Sequence, residues 1–128
     1  MSLNNKAQQE VLLKLASDLM ISDGVIDQSE KELINFVKSQ CTEGVSELEN
    51  FNLSEIRDVF GSKKAKVSML LELIGLAHAD GYYGKEEKVF INEIASVLNI
   101  NEANLNELEN WVRRQLDLVN DSVMFMEE

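Results

Sequence analysis

Between Ser22 and Glu30 the chain reads SDGVIDQSE, and between Ala79 and Glu87 it reads ADGYYGKEE. Each stretch sets an Asp-Gly pair and further acids between two apolar runs. Ahead of the first, Val11, Leu12, Leu15 and Leu19 recur at three- and four-residue spacing, the pattern of one face of an amphipathic helix. Behind it, Leu33, Ile34, Val37 and Cys41 resume the pattern. The spacing predicts a helix over about 5–22, a turn, and a second helix over 28–41.

Shifting the sequence by 57 residues lays the second acidic stretch on the first. Leu13 falls on Leu70, Leu19 on Leu76, Asp23 on Asp80 and Gly24 on Gly81; Glu30 falls on Glu87, Lys31 on Lys88, Ile34 on Ile91 and Ser39 on Ser96. The chain therefore reads as an internal duplication, with one repeat over about 12–41 and the other over about 69–98. Two copies are too few for a solenoid, so one bundle of two helical hairpins around a pseudo-twofold axis is expected.

Between the repeats, Leu53, Ile56 and Phe60 suggest a short helix, which Gly61 ends and after which Ser62 can cap the next. Ser54 followed by Arg57 makes a poor capping box. The most apolar helix is expected over 63–79, with Val67, Leu70, Leu71, Ile74 and Ala77 inward. Because Met69, Leu73 and Leu76 lie on its other sides, it should be central. A helix over 85–98 carries Phe90, Ile94, Val97 and Leu98. Asn101 should cap a last helix over about 101–119, carrying Leu105, Leu108, Val112, Leu116 and Val119. The tail NDSVMFMEE either docks on the rest or hangs loose. Alternation of period two is nowhere sustained, and proline, which breaks helix interiors, is absent. The expectation is all-α: a single domain over 1–128, about six to seven helices in a duplicated bundle.

The formal net charge is -11, from 23 acids against 12 basic residues. Such a surface repels phosphate backbones and anionic membrane faces, which argues against nucleic-acid binding and favours cations and basic protein surfaces. The run VSMLLELIGLAHA is broken by Glu72 and is too short to span a bilayer. The start of the chain lacks the basic region of a signal peptide. The single cysteine, Cys41, forms no internal disulfide and fits a reducing compartment. A cytoplasmic protein without membrane insertion is expected.

The acidic turns admit two readings. In the first they are helix punctuation: Gly24 ends one helix, Asp27 caps the next, and Glu30 completes a capping box. In the second copy Gly84 takes the cap position and Glu87 keeps the place of Glu30. Asp23 and Asp80 fit this less well, since each sits at the carboxyl end of a helix, where the dipole disfavours negative charge by about 0.3–1 kcal/mol. Carboxylates beside exposed helix-end carbonyls are also a nucleus for a hard cation. Neither turn is an EF-hand, because Leu19 and Ile21, or Leu76 and His78, stand where oxygen ligands are needed. A site built jointly from both turns stays open.

The stretches LASDLMISDGVIDQSEKELI and LIGLAHADGYYGKEEKVFI resemble the two halves of the TerB-like domain of bacterial tellurite-resistance and stress-response proteins, a relative of which opens certain DnaJ-type co-chaperones. The resemblance spans about 12–119. It implies an all-helical duplicated module without catalytic activity and with a divalent-metal site. On the matching positions, that site would draw on Asp23, Asp27 and Glu30 from the first turn and Asp80 and Glu87 from the second. Gly84 departs from the pattern, leaving the second turn one carboxylate short.

Tyr82 and Tyr83 sit beside the second turn, where aromatics either contact a partner or fold over the helix junction. His78, the sole histidine, reads as half-buried on a helix flank. Cys41 reads as a small buried hydrophobe rather than a nucleophile. Trp111 can lie in the core or at a groove, and Arg113 with Arg114 should form surface ion pairs of little value. The preferred function is a non-enzymatic, cation-responsive module that binds protein partners. A pure scaffold comes next and a carboxylate-based enzyme last.

Overall fold

The computed structural model describes residues 5–21, 28–79 and 83–127. Asp23, Asp27, Asp80 and Tyr82 lie outside these residues, so the expectations resting on them do too. The described residues are all-helical. Helix α1 runs Lys6–Ile21, α2 Gln28–Ser39, α3 Ile56–Val59, α4 Lys63–Ala79, α5 Lys85–Val97 and α6 Glu102–Met126, with a short 3-10 turn at Leu53–Glu55 leading into α3.

Helix α4 packs against α1, α5 and α6, while α1 also touches α2, α3 and α5. The central place of α4 follows from its sequence, since a helix that is apolar all round buries more than one face. Met69, Leu70, Leu73, Ile74, Leu76 and Ala77 are all buried. Val67 and Leu71, expected inward, are only half-buried, because at 100° per residue they lie beyond the edge of the arc that Met69, Leu70, Leu73, Ile74, Leu76 and Ala77 bury. Leu12, Leu15, Leu19 and Met20 of α1 meet Ile91 and Ile94 of α5 in the same apolar cluster.

The segment between α2 and α4, irregular up to the 3-10 turn and α3, is tied to α1 by side chains. Gln9, buried on α1, accepts the amide of Thr42 at 2.8 Å. Gln8 donates to the carbonyl of Val59 at 3.0 Å, and Glu10 accepts the amide of Ser46 at 3.2 Å. Ile56 and Phe60 then drop fully buried into the core. The cap of this short helical segment is Asn52, whose side chain accepts from the Ser54 amide; the weak Ser54–Arg57 pairing plays no part.

Other termini follow from local chemistry. The Ser62 hydroxyl accepts the Ala65 amide, and Asn101 accepts the Asn104 amide at 2.8 Å, each satisfying a donor that the first helical turn leaves free. Helix α5 ends in a Schellman motif. The Ile100 amide donates to Ala95, the Asn99 amide to Ser96, and Asn99 takes a left-handed φ of 65° between them.

Helix α6 continues to Met126 rather than ending near Val119. Its 25 residues span roughly 37 Å, against roughly 26 Å for the 17 of α4. The packed stripe Leu105–Leu108–Val112–Leu116 therefore runs out of neighbours, and Val119, the next residue in it, is exposed. The tail is neither a docked strap nor a loose end but the outer turns of this helix.

Candidate functional site

Two of the buried carboxylates among the described residues, Glu87 and Glu109, lie where α4 ends and α5 begins. Tyr83 folds over this junction. Its hydroxyl donates to Glu109 Oε1 of α6 at 2.7 Å, and its ring stands edge-on to His78 at a centroid distance of 4.7 Å and 82°. Glu109 is only 4% exposed, and Lys88 of α5 reaches its other oxygen at 3.5 Å. A buried carboxylate is costly unless paired and hydrogen-bonded; Glu109 has both a short charge-assisted bond and a cation. Burial pushes the Tyr83 hydroxyl well above its ordinary pKa, and the bond to Glu109 and the charges of Glu109 and Glu87 push it the same way.

One residue on, Gly84 is the N-cap of α5, and its amide donates to Glu87 Oε1 at 3.2 Å. This is half of a capping box, the half that does not need a cap side chain. Glu87 is 3% exposed, and Glu30, its counterpart in the first turn of α2, is 6% exposed. Of the sequence-derived site residues, then, Glu30, Glu87 and Tyr83 stand in buried or half-buried places at helix starts. Tyr83 and Glu87 belong to one junction. Among the described residues no group of three His, Cys, Asp or Glu side chains is arranged to hold a metal ion.

Glu109 was not singled out from the sequence, although a signal was there. It falls between Leu105 and Val112 in a stripe of four-, three- and four-residue steps, where an acid can only be buried. Gln9 carries the same signal ahead of Leu12 and Ala16. Cys41, expected buried, is half-buried where the chain leaves α2, packed against the apolar cluster with its thiol donating to the Val37 carbonyl at 3.4 Å and pushed up in pKa by burial. Arg113 donates to the Asn110 side chain at 3.2 Å rather than pairing with an acid.

Apolar surfaces remain among the described residues. Leu33, Phe36, Leu71, Gly75 and Leu76 line a groove of about 340 Å³ between α2 and α4, with Phe36 standing out of it. On the outer half of α6, Leu118 is 62% and Phe125 89% exposed, and Trp111 is 45% exposed one helical heptad earlier. A cavity of about 500 Å³ beside the end of α5 is lined by the amides of Asn92, Asn99 and Asn101, the Ser96 hydroxyl and the apolar Ala95, Ile100 and Leu105, with Glu102 its one carboxylate. Among the described residues no helix is long and apolar enough to cross a membrane. Comparison with protein-family models, curated proteins and solved structures finds no match for this chain.

Proposed function

We propose that the chain is a non-catalytic interaction module, a duplicated helical bundle of TerB-like type that meets a protein partner through the outer half of α6. The observation that carries this reading is the exposure of Trp111, Leu118, Val119, Val123 and Phe125 on one helix. Single exposed apolar residues are ordinary, but several large ones on successive turns of one helix mark an interaction surface. Against catalysis stands the use already made of the buried polar groups: Glu109 is bonded to Tyr83 and paired with Lys88, and Glu87 caps α5. In support of the duplication, Leu13 and Leu70, Leu19 and Leu76, and Glu30 and Glu87 are buried in both copies.

A second reading, that the two turns hold a divalent cation, draws on the matched burial of Glu30 and Glu87 and on the aspartates of the resemblance. The capping bond from Gly84 to Glu87 favours punctuation for the second turn. The interaction reading is tested by hydrogen exchange on dilute, monomeric protein. Amides of Leu105–Val112 should exchange only on global unfolding, and those beyond Leu118 much faster. Equal protection along all of α6 would mean that its outer half is packed, and the reading would fall.

A further inference from the structure

We infer that the partner of the outer half of α6 is a second copy of the same helix, paired antiparallel about Leu118; this rests on the reading of that half as an interaction surface. Trp111, Leu118 and Phe125 recur at seven-residue steps and are all exposed, so they form one continuous seam on the helix. At 100° per residue, Arg114 and Asp121 flank this seam on one side and Gln115 and Ser122 on the other.

Antiparallel pairing with Leu118 on the twofold axis sets Trp111 against Phe125 at both ends. Residues on the same flank then meet across the seam, and Arg114 lies level with the second copy's Asp121 to within about one residue's rise, roughly 1.5 Å along the helix axis. The symmetry repeats the ion pair, because such an interface is isologous and closed. A parallel pair would instead set each flank against the opposite one, leaving Arg114 and Asp121 facing the uncharged Gln115 and Ser122 side with no ion pair. Arg113 and Arg114 are the only basic residues of α6, so the one basic place on an acidic helix lies where a reversed copy presents an acid. Neither Arg114 nor Asp121 is in an ion pair among the described residues.

Three large side chains from each copy, with aromatics burying about 150–250 Å² each, place the interface at the low end of specific contacts. The dimer is accordingly weak, with a dissociation constant on the order of micromolar.

Sedimentation velocity across a concentration series bracketing that value tests the pairing. Wild type should pass from the 14.5 kDa monomer to a species of twice that mass and no further, and the emission of Trp111, the sole tryptophan, should shift to the blue in step. Leu118→Glu should stay monomeric. Arg114→Asp and Asp121→Arg should each weaken association about tenfold or more, and the double exchange Arg114→Asp/Asp121→Arg should restore it to within a few-fold of wild type. Leu118, Arg114 and Asp121 are all exposed, and circular dichroism checks that the variants fold. A wild type that stays monomeric, assembles beyond dimers, or dimerises without responding to these variants overturns the pairing, as does a double exchange that fails to restore association. A monomer whose outer α6 exchanges fast would leave the interaction module standing with a different partner, whereas a protected outer α6 in the monomer would remove both.

Discussion

The hydroxyl of Tyr83 and the carboxylate of Glu109, 26 residues apart in sequence, lie 2.7 Å from each other and fasten the start of α5 to the middle of α6. The bond does two jobs. It gives a buried carboxylate a donor, and it fixes the tyrosine ring over the end of α4, where His78 stacks edge-on.

Removing the donor should be costly for its size. Tyr83→Phe keeps the ring and deletes one oxygen, leaving Glu109 with Lys88 alone; the expected loss is about 1–3 kcal/mol in urea unfolding. A double-mutant cycle with Glu109→Gln should show coupling between the two sites. A loss within about 0.5 kcal/mol, the range of ordinary surface substitutions, would mean that the bond holds nothing together.

The same bond sets an alkaline limit. Tyr83 has a raised pKa in the folded state, so the folded protein keeps a proton that the unfolded chain sheds from about pH 10 upward. Stability from this source is therefore fully present below pH 10 and is lost as the pH climbs from there toward the folded value. Thermal melts should show a falling Tm above pH 10 that is shallower in Tyr83→Phe, and tyrosinate absorbance of the native protein should lack the Tyr83 step. Ionisation of both tyrosines near pH 10 with no change in Tm would contradict the burial.

At the end of α5, the left-handed Asn99 is held by the Schellman bonds from Ile100 and Asn99. Asparagine tolerates this conformation and a β-branched residue does not. Asn99→Val should cost about 1–2 kcal/mol and Asn99→Gly close to nothing, read from chemical denaturation. Equal effects would place the constraint elsewhere.

Much of the fold could be read in advance because helix-forming information is local. The bounds of α4, the Asn101 and Ser62 caps, and the buried Leu12, Leu15, Leu19 and Ile74 all follow from spacing and side-chain chemistry. What could not be read was set by neighbours. Whether Val119 is covered depends on where the packing partners of α6 stop, and nothing in its own sequence marks that point. The partner of Tyr83 was hidden for a related reason: Glu109 looks like one more surface acid until its place in an apolar stripe is noticed. Four of the seven candidate site residues, Asp23, Asp27, Asp80 and Tyr82, lie outside the described residues and keep only their sequence reading.

The cation reading has its own test. Metal-stripped protein titrated with calcium, magnesium, manganese or zinc should gain thermal stability if an ion binds the folded form alone, and Asp23→Asn with Asp80→Asn should abolish the gain. The capping account predicts no gain from any ion at millimolar level. An equal gain in the double variant would place the ion away from these turns.

The outer half of α6 is held here to be surface rather than core, and the most direct measurement is the unfolding free energy of Leu118→Ser/Phe125→Ser in urea, at a concentration where the protein is monomeric. Exposed residues predict a change of no more than about 1 kcal/mol for the pair. A loss of about 2–5 kcal/mol per side chain, the cost of emptying a packed site, would show that these residues are buried in the monomer and would contradict the account.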